Sequence, residues 1–356
     1  MIVLFLHGDH YEMGLQHGQQ ALDLRPYIIA ALDTRLNALN ERDAAEERAR
    51  LLGELEQVWN QHAHSTMAML HGLADGLEIP FPRLFQYAAA SYIRAVLYAE
   101  AYCGDGCTAW AASGPNTLNG MPILVKNRDY YFGHLPLKAL AYATPKQGYR
   151  YLYATSTGSP AVFSAGINEM GLAVADTHVS STNLGPGLAR FTLMMDILEK
   201  HSTVTSAINY LQQVPRMGGG NLILGDAMGD VAVFETGHDR WGLIRPPTRA
   251  VIATNHFASN AMHDFHLEDP TDTADETSEA RYQTVENALK ASQGILDVDK
   301  AKQIMATHQD GPGALCRHRP RDGVGTISAA IFLPAKFKLL MCDGLPCEGT
   351  YVTYSL

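Results

Sequence analysis

Cys107 is the residue of this chain best placed to do chemistry. It stands in Gly104-Asp105-Gly106-Cys107-Thr108, with a side-chain-free residue directly before it. Upstream the sequence patterns as helices and downstream as strands, so a nucleophile sits at the boundary between the two. Gly106 tolerates strained backbone and leaves its carbonyl open to attack. A chain cut between Gly106 and Cys107 would expose an α-amine beside the thiol, giving one residue both a nucleophile and its base. The unperturbed α-amine titrates near ~7.7–8.0, so it could take the thiol proton at neutral pH.

Other residues offer supporting or competing chemistry. Asn255 follows the apolar run Ala250 to Thr254. An uncharged amide donor at a strand end suits an oxyanion hole. Asp129, in Asn127-Arg128-Asp129, is a carboxylate at the end of the strand that would pair with Cys107's strand. Arg128 reads equally well as a surface residue, and Glu235, at another strand end, as a pocket residue. His256 adjoins Asn255 and allows a papain-like Cys107–His256 pair. His256, His263, Asp264 and His266 allow a metal hydrolase, yet no His-Glu-x-x-His helix accompanies them. The run Gly218-Gly219-Gly220 lacks the Gly-Lys-Ser/Thr of a phosphate loop and reads as a tight turn.

Composition excludes several classes. The chain has 356 residues, 46% hydrophobic and 18% charged, and this is globular composition with length for a large core. A net charge of −10 argues against a nucleic-acid partner. No run approaches the ~18 apolar residues of a membrane span. The opening Met1 to Gly8 lacks a basic n-region and reads as a strand, so a cytoplasmic location is expected. There are five cysteines and no Cys-x-x-Cys pair; reduced thiols and no metal or other cofactor are expected.

Periodicity supplies the elements that must hold these residues. Helices are expected over Leu15 to Asn40, Asp43 to Gln61, Ser65 to Gly76 and Pro82 to Tyr102, the last apolar nearly all round. Strands follow at Cys107 to Ala112, Met121 to Lys126, Tyr149 to Thr155, Ala161 to Gly166 and Gly171 to Asp176, with a hairpin turn at Ile167 to Gly171. Helices return at Leu188 to His201 and Val204 to Gln213. Four strands come next: Asn221 to Leu224, Val231 to Glu235, Trp241 to Ile244 and Ala250 to Thr254. His266 to Glu279 reads as an exposed loop. Helices Ser278 to Lys290 and Val298 to His308 precede strands Gly325 to Leu333, Lys336 to Cys342 and Thr350 to Tyr354. The fold class expected is α+β, with two stacked, mainly antiparallel sheets between helical layers. No linker separates independent domains.

Several segments, in order, resemble the isopenicillin N acyltransferase family of self-cleaving N-terminal-nucleophile (Ntn) hydrolases, relatives of penicillin V acylase and the bile salt hydrolases. They are Gly8 to Gly14 with His17-Gly18, Gly104 to Thr108, Lys126 to Tyr130, Gly166 to Leu172, Thr254-Asn255-His256, Ser278 to Arg281 and Leu315 to His318. The resemblance implies the αββα sandwich and a catalytic set of Cys107, Asn255 and Asp129, with Asp129 holding the nucleophile's amine. It implies cleavage between Gly106 and Cys107 into segments 1–106 and 107–356 that stay associated as one unit. Thr177, His178 and Arg281 fall where the relatives support the substrate or oxyanion. Lys126 stands where the bile salt hydrolases have an arginine. The implied activity is cleavage of a linear amide, or acyl transfer, through a Cys107 thioester on a small-molecule substrate. Homo-oligomer formation stays open. A non-catalytic, uncleaved binding protein of the same fold is the alternative from another class.

Overall fold

The computed structural model describes residues 1–40, 44–98, 106–268, 273–308, 311–319 and 323–356. Cys103, Gly104 and Asp105 of the expected processing segment lie outside them. In chain order the elements are β1 (Ile2–Gly8), α1 (His10–Gln20), α2 (Arg25–Asn40), α3 (Ala45–His62), α4 (His64–Leu77), α5 (Phe81–Tyr98), β2 (Gly106–Gly114), β3 (Gly120–Tyr131), β4 (Lys138–Pro145), β5 (Tyr151–Ser156), β6 (Ala165–Asn168) and β7 (Ala173–His178). They continue with α6 (Arg190–Lys200), α7 (Val204–Gln213), β8 (Gly220–Gly225), β9 (Val231–Thr236), β10 (Trp241–Ile244), β11 (Ala250–Ala253), α8 (Thr273–Ala291), α9 (Val298–Met305), β12 (His318–Arg319), β13 (Val324–Leu333), β14 (Lys338–Asp343) and β15 (Thr350–Ser355).

Alternation along the strands builds the layers. One sheet runs β1-β4-β5-β6-β7-β8-β9-β10 and the other β11-β2-β3-β13-β14-β15, with β12 beside β13. Every named pairing is antiparallel except β1 with β4. Ala109, Ala111 and Leu124 of one sheet face Ala154, Ala173, Ala175 and Ile223 of the other. Successive side chains point to opposite faces. Trp110, Ala112, Ile123 and Val125 therefore turn outward to Val285 and Leu289 of α8 and Ile304 and Met305 of α9. On the other sheet Tyr151, Tyr153, Val174 and Leu222 turn out to Met13, Ile28, Trp59, Leu70 and Met194 of the remaining helices. The result is helix, sheet, sheet, helix: the expected αββα sandwich.

Four local expectations need correction. The first helix starts at His10, not Leu15: Asp9 caps it, accepting from Glu12 N while Glu12 reaches back to Asp9 N. A short 3-10 turn at Leu22–Leu24 separates it from α2. Strand β4 lies where periodicity assigns no element; it is held between β1 and β5. Residues 273–279 are not an exposed loop; they open α8, and Thr277 and Ser278 are buried. Ala161 to Ser164 lies outside the strand, which begins at Ala165, and α5 is one-faced, with Val96 exposed.

Candidate active site

Gly106 and Cys107 begin β2 with the chain continuous through them, paired across the ladder with Asp129 and Arg128 of β3. Cys107 is only 5% exposed. A Cβ on Gly106 would meet Arg317 Nη1 first and Asp129 Oδ2 at 2.8 Å, so a larger residue here would push both side chains aside. The Asp129 carboxylate is fixed from its other side. Thr326 Oγ1 donates to Oδ1 at 2.7 Å, and Arg317 Nη1 lies 3.4 Å from Oδ2, both partners buried.

Asn255 reaches Cys107 from the end of β11. Cys107 N donates to Asn255 Oδ1 at 2.9 Å, and Arg281 Nη2 donates to the same oxygen at 2.8 Å. Asn255 Nδ2 donates to His178 O at 2.9 Å. Two donors on one side and a carbonyl on the other fix the orientation of the amide. Arg281, fully buried on α8, also binds Cys107 O at 2.5 Å and Thr108 Oγ1 at 3.1 Å. Asn255 N in turn donates to Ser278 Oγ at 2.8 Å. The opening of α8 thus braces the strand end. Ser278 was not among the sequence candidates, because its segment read as a loop boundary.

Lys126 is 2% exposed and bonded to Asp176, through the carboxylate at 3.0 Å and through the backbone carbonyl. Burial works to lower the pKa of Lys126, but Asp176 and the Cys107 thiol outweigh it and raise it. Burial works to raise Asp176, and Lys126 and Arg190 outweigh it and hold it below the usual range. Lys126 therefore keeps its positive charge despite burial and sits in contact with the Cys107 thiol.

Arg128 is buried, not a surface residue. Its Nη1 donates to Ser156 Oγ at 2.8 Å, and its guanidinium stacks over Tyr130 and Phe163 at 4.9 and 5.2 Å. Its Nη2 is buried with no hydrogen-bond partner. Arg128, Cys107, Lys126, His178, Arg190 and Arg35 line one cavity, which also holds the apolar Phe163, Phe191 and Met217.

Of the remaining candidates, only His178 shares the cavity with the thiol. Thr177 Oγ1 accepts from Asn221 Nδ2 at 3.0 Å, so Thr177 ties β7 to β8. His178 lines the cavity, but burial, then Arg190, pushes it down to about 3, which makes it a poor base. His256 turns to α8: its Nδ1 meets Ser278 Oγ at 2.8 Å and its ring lies 5.5 Å from Tyr282. Glu235 accepts from the backbone of Ala258 and Ser259, holding that loop, and does not line the cavity. His263 is exposed, and His256, His263 and His266 form no ligand cluster among the described residues.

Residues 115–346 match the model of the acyl-coenzyme A:6-aminopenicillanic acid acyl-transferase family. The chain belongs to that family. It is accordingly an enzyme of an acyltransferase family. Solved structures similar to it include a mutant of conjugated bile acid hydrolase from Clostridium perfringens, 12% identical, TM-score 0.48, covering 70% of this chain and 97% of that one. Penicillin V acylase from Agrobacterium tumefaciens is 14% identical, with a TM-score of 0.37, covering 71% of this chain and 78% of that one. No curated protein matches the chain. Among the described residues no helix is long and apolar enough to cross a membrane.

Proposed function

We propose that the chain is a self-processing cysteine Ntn amidohydrolase, in which Cys107 first cuts its own amide to Gly106 and then acts on a small linear amide. The observation that carries this reading is the convergence on the Gly106–Cys107 peptide. Asn255 holds Cys107 N, Arg281 holds Cys107 O, Asp129 abuts Gly106 and Lys126 contacts the thiol.

In processing, the Cys107 sulfur bonds to the Gly106 carbonyl carbon. The C–N bond then breaks, and the nitrogen leaves as the new α-amine carrying the thiol's proton. Water hydrolyses the thioester, returning the thiol and leaving Gly106 as a carboxylate. Departure of Gly106 opens the space against Asp129, whose charge would then hold the amine and raise its proton affinity. Catalysis repeats the sequence on a substrate acyl group, with the amine as base. Asn255 Nδ2 carries two hydrogens; one serves His178 O, and the other is available to an oxyanion. An amine acceptor in place of water would make the same thioester an acyl transfer.

The two segments would stay together after cleavage. Strand β1 forms the edge of its sheet, paired in parallel with β4 along seven residues, and α1–α5 bury their apolar faces on that sheet. The cavity also bears on substrate. Arg128's unpartnered N–H beside aromatic walls favours an amide whose acyl or amine part carries a carboxylate or other anionic acceptor.

The test is intact mass and N-terminal sequencing of the purified chain. Two co-purifying fragments are expected, the second beginning at Cys107, with Cys107→Ala remaining one chain. An uncut wild type that is fully active on amides would defeat the free-amine mechanism. An uncut and inactive one would favour the non-catalytic binding protein.

A further inference from the structure

A second group of reactive side chains lies outside the cavity. Cys316 Sγ, Cys347 Sγ and His318 Nε2 face one another. The two sulfurs are 3.6 Å apart, and each is 3.3 Å from the His318 nitrogen. Both cysteines are free thiols. They come from two separate segments of the chain, the stretch from Cys316 into β12 and the β14–β15 turn. Cys316 and His318 follow α9, where Leu315 N and Cys316 N both bond Thr307 O at 2.9 Å. Cys347 sits in the turn between β14 and β15, closed by Glu348 N on Leu345 O at 3.0 Å.

The spacing matches a tetrahedral cation. Zn–S bonds of ~2.3 Å and Zn–N bonds of ~2.0–2.1 Å at tetrahedral angles put ligand sulfurs roughly 3.8 Å apart and sulfur and nitrogen roughly 3.6 Å apart. The observed edges are within 0.3 Å of those lengths. Two thiols and an imidazole are a borderline-soft donor set, which suits Zn²⁺ over Mg²⁺ or Ca²⁺. His318 is exposed and Cys347 half-buried, so solvent has access for the ion and for a fourth ligand; the exposed His308 ring lies 5.4 Å from that of His318.

We infer that Cys316, His318 and Cys347 form a zinc-type metal site that staples the segment after α9 to the β14–β15 turn. Its position gives it a consequence. Cys316 and His318 flank Arg317, whose Nη1 lies 3.4 Å from Asp129 Oδ2, and Asp129 abuts Gly106. The metal fixes the backbone on both sides of Arg317 and so fixes the cation against the carboxylate at the scissile peptide.

The experiment uses the full chain carrying Cys107→Ala, which removes the nucleophile as a competing thiol and does not depend on processing. Cobalt(II) alone is titrated under reducing conditions. One equivalent should bind, with thiolate-to-cobalt charge-transfer absorption and the intense visible bands of tetrahedral coordination. Cys347→Ser and His318→Ala, both at accessible positions, should each weaken binding by on the order of 100-fold or more, beyond the ~10–100-fold typical of changes behind the ligands. Circular dichroism should show both variants folded. In the processing-competent chain, zinc removal should slow cleavage and zinc readdition restore it. Absence of cobalt binding, binding unchanged in Cys347→Ser, or a Cys316–Cys347 disulfide in the non-reduced protein would each overturn the site.

Discussion

At the scale of single residues, Asn255 combines two jobs that one substitution can separate. Its Oδ1 accepts from Cys107 and Arg281, while its Nδ2 donates. Asn255→Asp keeps the acceptor and loses the donor. If the donor stabilises an oxyanion, turnover should fall by about 10²–10³ while KM changes little. A rise confined to KM would refute that role, and processing must be measured in the same variant because both steps share the carbonyl geometry. Arg128 makes a complementary case. Arg128→Gln removes the unpartnered N–H and the charge; KM for an anionic amide should rise by about tenfold or more, an equivalent neutral amide being little affected. Equal losses on both amides would mean that the arginine only packs against Tyr130 and Phe163. Cys107 and Asn255 stand out in the sequence as a nucleophile and an amide donor at strand ends, while Asp129 enters the set only through the family resemblance; the structure brings Asn255 Oδ1 to Cys107 N and Asp129 against Gly106. Arg128 was not legible there: alternation alone cannot say which face of a strand buried on both sides meets a cavity. The Cys316, His318 and Cys347 group was hidden for a different reason, since His318 on β12 and Cys347 in the β14–β15 turn are 29 residues apart and only the folded sheet brings them together.

At the scale of elements, glycines set how closely α1 and α4 pack. Gly18 of α1 meets Gly76 of α4, and Gly14 and Gly72 each press onto the backbone of the facing helix. A Cβ on Gly14 would fall within contact of Met69 O and 2.9 Å from Leu73 N; one on Gly72 would strike Tyr11 O and lie 2.7 Å from Leu15 N. Helix propensity alone favours alanine over glycine by about 0.8–1.0 kcal/mol. Backbone cannot swing aside as a side chain can, so overpacking, typically about 1–3 kcal/mol, should win. Gly72→Ala is expected to lower stability by at least about 1 kcal/mol. Gly53→Ala, on an exposed face of α3 where a Cβ meets nothing within 4 Å, should raise it by up to about 1 kcal/mol. Urea denaturation of both variants checks the pair; the same sign for both would show that propensity, not close approach, governs α1 and α4. The sequence reading found the helices themselves but not this contact, nor strand β4, because each depends on a distant partner.

At the scale of the whole molecule, layer order was legible and the acid sensitivity built into it was not. The pattern of helices, strands, helices, strands already implied the sandwich, and alternation in β2, β3, β7 and β8 then places one face of each sheet on the other. Between helices and sheet the fold also buries histidines that periodicity cannot distinguish from surface ones. His17, on α1, accepts from Gly158 N at 3.3 Å through Nε2, which requires the ring to be neutral there. Burial pushes it down to about 4. His134 packs edge-on to Tyr130 with ring centres 4.5 Å apart; burial, then Arg128 and Arg35, pushes it down to about 3. Both folded-state values lie below the unfolded ~6.5. The unfolded chain therefore binds more protons across this interval, and the stability is complete above ~6.5 and is lost as pH falls toward the folded values. Each histidine contributes a slope of at most roughly 1 kcal/mol per pH unit, so the pair gives on the order of 2 kcal/mol per pH unit between roughly pH 6 and pH 4. Urea midpoints across that range should fall steeply with acid in the wild type. In His17→Gln combined with His134→Gln, neither side chain titrates, and the slope should drop by most of that amount, even if the variant is less stable at pH 7. A double variant with the wild-type slope would mean that other groups, not these two histidines, carry the acid sensitivity.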